Sequence, residues 1–219
     1  MSISTPPAVL DPSQQTVTEV AEGAVPRKRT LQVGGALVTA IFVMYFAGLF
    51  GIYAATRNAH NATQEGLDRP VPWIPSTADV ELTAPTIIWW TSLLMSLVTM
   101  QWAIYSLKRN DRRHGLMAIG ITFIFGLAVV NQVSFQWNQL GIVIDDISGS
   151  AAPPLIYAIT ISHVIMIIIG MCMLAAVGFR TLASSRTDAH VDSANAAAVF
   201  WYAMVAIYFV IWLLIFITK

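Results

Sequence analysis

Five stretches of this chain run for about twenty residues or more without a single Asp, Glu, Lys or Arg: about 33–55, 86–107, 115–137, 155–179 and 197–217. A helix needs roughly 20 apolar residues to cross a hydrocarbon core about 30 Å thick, and each stretch meets that length. Composition agrees. Of 219 residues, 56% are hydrophobic and 11% charged, whereas a soluble domain carries about a quarter charged residues. One soluble core of this size could not hide so much apolar surface. The expectation is an all-α membrane protein with five transmembrane helices. Residues 1–25 are polar and acidic, carry Pro6, Pro7 and Pro12, and precede the first apolar stretch, which begins no earlier than Leu31, so they do not read as a secretory signal.

The basic residues set the expected orientation. Arg27, Lys28 and Arg29 precede the first stretch, Lys108, Arg109, Arg112 and Arg113 join the second to the third, and Arg180 and Arg186 join the fourth to the fifth. Only Arg57, Arg69 and Lys219 fall on the other side. The positive-inside rule then puts the N-terminus in the cytoplasm and the C-terminus outside. Residues 1–30 are expected to form a disordered cytoplasmic tail, and residues 31–219 a single five-helix domain. Trp89, Trp90 and Trp137 suit the outer headgroup level. Pro154 suits the first turn of the fourth helix.

Several function classes lose support on these residues. A net charge of zero gives no case for nucleic acid. The lone Cys172 excludes an internal disulfide and a Cys-based metal cage, and its apolar run reads as a small core position. Pumps and ion-coupled transporters keep ionisable groups inside the bilayer. Here His163 is the one such group at membrane depth. Met166 follows one turn later, but two side chains on one helix face cannot ligate opposite faces of a haem. His60, His114 and His190 sit in loops or at helix edges. His163 is therefore expected to be neutral and structural, hydrogen-bonded to a neighbouring helix.

Three further patterns stand out. Ala47, Gly51 and Ala55 recur every four residues, a spacing that lets another helix approach closely. Asn131, Ser134 and Asn138 share one face of the third helix, and Gln132, Gln136 and Gln139 another. These amides lie either among headgroups or against protein. The Lys108–Arg113 loop attracts anionic headgroups, although such loops usually serve only as orientation signals.

In order along the chain, the apolar segments also carry recognisable runs. The first has Phe46, Leu49, Phe50, Tyr53 and Arg57; the second has Thr91, Leu93, Leu94, Ser96, Thr99 and Ala103. The third has Gly126, Gln132 and Trp137, the fourth Tyr157, Thr160, His163 and Gly170, and the fifth opens Phe200-Trp201. The ordered set, over about residues 35–218, resembles subunit III of the haem-copper (cytochrome c) oxidases in its short five-helix bacterial form. The resemblance also marks departures. Phe42 stands where the family has a membrane Glu, Val164 and Met166 where it has Gly and a second His, and Tyr202 and Val205 where it has His and Asp. Every titratable motif position except His163 is apolar or neutral.

What the resemblance implies is an accessory, non-redox subunit of a respiratory terminal oxidase in a bacterial plasma membrane. It would bind no haem or copper itself and hold no catalytic residue, with haem and copper in partner subunits. Its partners would be oxidase subunit I, other oxidase subunits and membrane phospholipid, and it would support assembly and sustained turnover. His163, Ala47, Gly51, Ala55, Asn131 and Gln132 are the expected structural, partner or lipid contacts. A nitric oxide reductase accessory subunit of the same family is an alternative reading. A free-standing transporter or haem-binding protein is another.

Overall fold

In a computed structural model of the protein, the described residues are 30–74, 83–140, 150–183 and 187–217. The expected N-terminal tail, up to residue 29, lies outside them. Five helices are long and apolar enough to cross a membrane, and no strand occurs among the described residues.

Helix α1 spans Thr30–Gln64. Helix α2 comprises Thr83–Ile87, a π-helical segment Ile88–Leu93, and Leu94–Lys108. Helix α3 spans Arg112–Leu140 and α4 spans Ala152–Ala183. Helix α5 spans Thr187–Ile211 and ends in a second π-helical segment, Trp212–Ile217. All five therefore run beyond the apolar stretches, α1 by nine residues at its end and α5 by ten at its start. Hydropathy marks where the hydrocarbon ends; a helix keeps its backbone bonds past that plane. His60 accordingly lies in the last turns of α1 rather than in a loop.

Between α2 and α3 the chain turns tightly. Asn110 takes a left-handed conformation, φ 62°, which Asn tolerates better than most residues. Asp111 then caps α3, accepting the backbone N–H of His114 at 3.2 Å, with the His114 ring at 2.6 Å from its other oxygen. These bonds hold the Asp111 carboxyl below its ordinary range, the backbone bond being the largest cause. Pro153 and Pro154 fall in the first turn of α4, where a missing N–H costs no helix bond.

Helix α5 is the centre of the bundle. It packs against α1, α2 and α4, while α3 closes the far side between α2 and α4. Helix α1 docks along a narrow seam: Thr39, Phe46 and Tyr53 are its buried residues, seven apart. Phe42, Leu49 and Phe50 fill the same line against the core. That spacing of about 3.5 residues is the signature of a coiled-coil-like seam. The rest of α1 faces outward, with Met44 76% exposed and Ile41 67%.

Candidate functional site

No cluster of three or more His, Cys, Asp or Glu occurs among the described residues. The polar side chains within the spans instead tie one helix to the next. Ser92 on α2 donates to Gln132 on α3 at 3.2 Å, and Thr99 and Thr122 join the same two helices at 2.8 Å. The Trp137 indole of α3 donates to Thr160 of α4 at 3.0 Å. Tyr45 of α1 and Ser162 of α4 lie 2.9 Å apart. The Tyr202 hydroxyl of α5 donates to Gln101 of α2 at 2.7 Å. In lipid each polar group must find a protein partner, and here these partners sit on neighbouring helices.

His163 belongs to this set. It is 1% exposed, with its Nε2 3.1 Å from the Met204 carbonyl of α5. A carbonyl can only accept, so Nε2 carries the hydrogen. The ring lies between Phe46 of α1 and Tyr208 of α5, with centroids at 6.2 and 5.3 Å. Three helices thus meet at one imidazole, in an interhelical hydrogen bond as its lone position predicts. Met166, a turn away, is fully buried in the core.

The packing centre is Trp201, the second residue of the Phe200-Trp201 motif, which is fully buried. Its indole N–H donates to Ser96 of α2 at 2.9 Å. Its ring faces two glycines. A Cβ on Gly126 of α3 would lie 3.1 Å from the ring, and one on Gly170 of α4 would also lie 3.1 Å away. One side chain of α5 therefore touches three other helices, and the two glycines clear the space it occupies. Phe42, at the expected Glu position, packs edge-on against Phe200 with centroids 5.5 Å apart. Val205 is likewise buried. The apolar departures from the family pattern are thus filled with packing.

At the end of the bundle away from Lys108–Arg113, residues 65–74 fold back over the last turns of α1. His60 donates to the Val71 carbonyl at 2.9 Å, and Val71 N–H donates to Gln64 at 2.8 Å. The buried Trp73 donates to the Tyr53 hydroxyl at 3.1 Å. Ser150, just before α4, donates to the Trp73 carbonyl and accepts the Ala152 N–H.

The other expected contacts divide. Ala47, Gly51 and Ala55 are all exposed, and a Cβ on Gly51 would meet nothing within 4 Å. They turn progressively away from the α1 seam, so no helix described in this chain uses the stripe. Asn131 is exposed with Ser134 and Asn138, whereas Gln132 is half-buried and Gln136 buried. The Asn131 face thus points outward and the Gln132 face toward protein, while the side chain of Gln139 lies outside the described residues. Cys172 corrects an expectation: its side chain is exposed on α4 rather than in the core, because its helix face points away from α3 and α5.

Comparison with known proteins gives a family and relatives. A family model described as cytochrome c oxidase subunit III matches residues 12–219. The chain is 27% identical to cytochrome c oxidase subunit 3 of Bos taurus over 193 residues, 87% of this chain and 69% of the relative. It is 27% identical to that of Homo sapiens over 195 residues, 88% of this chain and 70% of the relative.

Proposed function

Since this chain belongs to the cytochrome c oxidase subunit III family, we propose that it is an accessory subunit without a redox centre in a respiratory terminal oxidase of a bacterial plasma membrane. It acts through a catalytic subunit I that carries haem and copper, supporting that subunit's assembly and sustained turnover. The observation that carries this reading is where the polar groups go. Ser92, Thr99, Trp137, His163, Trp201 and Tyr202 are used in bonds between this chain's own helices, an arrangement that suits a packed scaffold rather than an ion path. The outward faces are apolar, and that of α1 is the broadest. Ala47, Gly51 and Ala55 on that face are the proposed close contact with a partner helix, with Asn131 at the partner or lipid boundary and phospholipid filling the remaining perimeter.

The test compares membranes with and without this chain. Deletion is expected to leave the haem spectrum of the partner intact while oxygen consumption decays faster during sustained turnover, or while less complex assembles. Loss of a haem or copper signal with the other subunits at normal levels would falsify the reading. Stoichiometric haem on the chain purified alone would do the same.

The nine-to-three division of basic residues supports a cytoplasmic N-terminus and an external C-terminus. A cysteine placed at Ala78 is expected to react with an impermeant thiol reagent in intact cells, and one at Ser184 is not. The reverse labelling pattern overturns the orientation.

A further inference from the structure

Two adjoining open cavities, of about 860 and 580 Å³, run along α5 beside α2 as one groove. Its α2 wall extends from Trp89 to Lys108, roughly 28 Å along the helix. That is close to the whole hydrocarbon thickness of about 30 Å, of which one leaflet supplies half. Small residues floor it, Ala36 of α1 with Ala198 and Ala206 of α5, the kind that lets a further backbone come close. Midway stand Gln101 of α2 and Tyr202 of α5, which line both cavities. Their one side-chain hydrogen bond among the described residues is to each other, at 2.7 Å. A carboxamide and a phenol carry three donor hydrogens between them, so two stay unused whichever way the amide is turned. Gln101 is exposed and lies roughly 10 Å along α2 from Lys108. At that depth the surroundings are hydrocarbon, and acyl chains hold no acceptor. Where α2 ends, Lys108 lines the groove, and neither cavity has an Asp or Glu in its wall. The nearby Asp111 is engaged by His114.

We infer that this groove seats a transmembrane helix of another polypeptide, which brings a hydrogen-bond acceptor to Gln101 and a carboxylate to Lys108. A donor hydrogen without an acceptor is costly inside a bilayer, so the fold of this chain leaves that face incomplete. The length of the groove selects the occupant. A segment that fills it crosses both leaflets, as a helix does and a single lipid does not. The two marks also fix a spacing on the incoming helix. Its acidic residue and its acceptor stand about seven positions apart, two turns along one face, to match the roughly 10 Å between Lys108 and Gln101. The inference rests on the chain's lying in a bilayer, not on the oxidase reading.

The test places a photo-reactive amino acid at Val98 or Ala206, exposed positions on the two walls, in the full chain in its native membranes, and sequences what is captured. The expected product is a second polypeptide joined within an apolar segment. That segment carries Asp or Glu at its end nearer Lys108 and an acceptor side chain about seven residues inward. Gln101→Leu is expected to lower the captured chain's retention in mild detergent roughly fivefold or more, the scale of one interhelical hydrogen bond. Lys108→Glu is expected to lower it as well, and lysine at the mapped acid to restore it. Crosslinking confined to lipid, to a small molecule or to a second copy of this chain overturns the proposal. A captured segment without those two side chains does so too, and so does retention unchanged by Gln101→Leu. The crosslink is read in a chain otherwise unaltered, so it decides even if Gln101→Leu fails to fold. None of these readouts involves haem or oxygen consumption, so the helix seat and the oxidase role fail separately.

Discussion

Replacing Trp201 with Ala is expected to cost this bundle about 3–5 kcal/mol, the range for emptying a buried aromatic position. The indole is fully buried and fills the space between α2, α3 and α4, where Gly126 and Gly170 leave room for nothing else. Removing the ring leaves a void walled by two glycines, whose backbones cannot reach in to fill it. Trp201→Phe separates packing from bonding. It keeps most of the ring volume and loses the donor to Ser96, whose hydroxyl still donates to the Leu93 carbonyl at 2.6 Å. That variant is expected to lose only about 1 kcal/mol, the scale of an interhelical bond in a membrane protein. Thermal unfolding of the detergent-solubilised protein reads both. Should Ala and Phe prove equally harmful, the bond rather than the packing would be the source of the stability.

Gly35→Leu is expected to lift α1 off the bundle, while Gly51→Leu leaves the isolated chain's stability unchanged. A Cβ at Gly35 would stand 3.0 Å from the Ala196 Cβ and 3.3 Å from its Cα and carbonyl oxygen. Backbone atoms of α5 cannot rotate aside as a flexible side-chain tip can, so the helices must separate. Overpacking of this kind costs about 1–3 kcal/mol, and it falls on the seam through which α1 meets α5. Gly51 faces open space, so leucine there has nothing within the chain to displace. The loss at Gly51 is expected in the assembled complex, as reduced co-purification of the other oxidase subunits. Equal thermal stability for Gly35→Leu and the unaltered chain would mean that α1 does not dock through this seam. Unchanged co-purification for Gly51→Leu would remove the small-residue face from the partner contact.

The contrast between these two glycines comes from their surroundings in the fold. Both lie in the same apolar run of α1, and nothing in their local sequence separates the buried approach at Gly35 from the open face at Gly51. In a soluble helix the exposed side would be polar and the division visible. In a bilayer the exposed side is also apolar, so hydropathy does not mark which face is inside. The same ambiguity put Cys172 in the core on paper and on the surface in the fold. His163 escaped it because an imidazole cannot remain unbonded at membrane depth, which makes a partner on another helix a physical requirement.

By itself, then, the sequence determined the five crossings, their approximate positions and the asymmetry of basic charge, because the bilayer's thickness and the cost of charge within it act on each segment separately. The order of motifs likewise carried the family. Only the tertiary structure decided that α5 is central, that Trp201 meets Gly126 and Gly170, and that Tyr202 bonds Gln101 across the wall of a groove leading to Lys108. Those facts depend on how the helices rotate and approach one another. That choice is made by close packing and by the pairing of scattered polar groups between segments, neither of which leaves a periodic mark along any one segment.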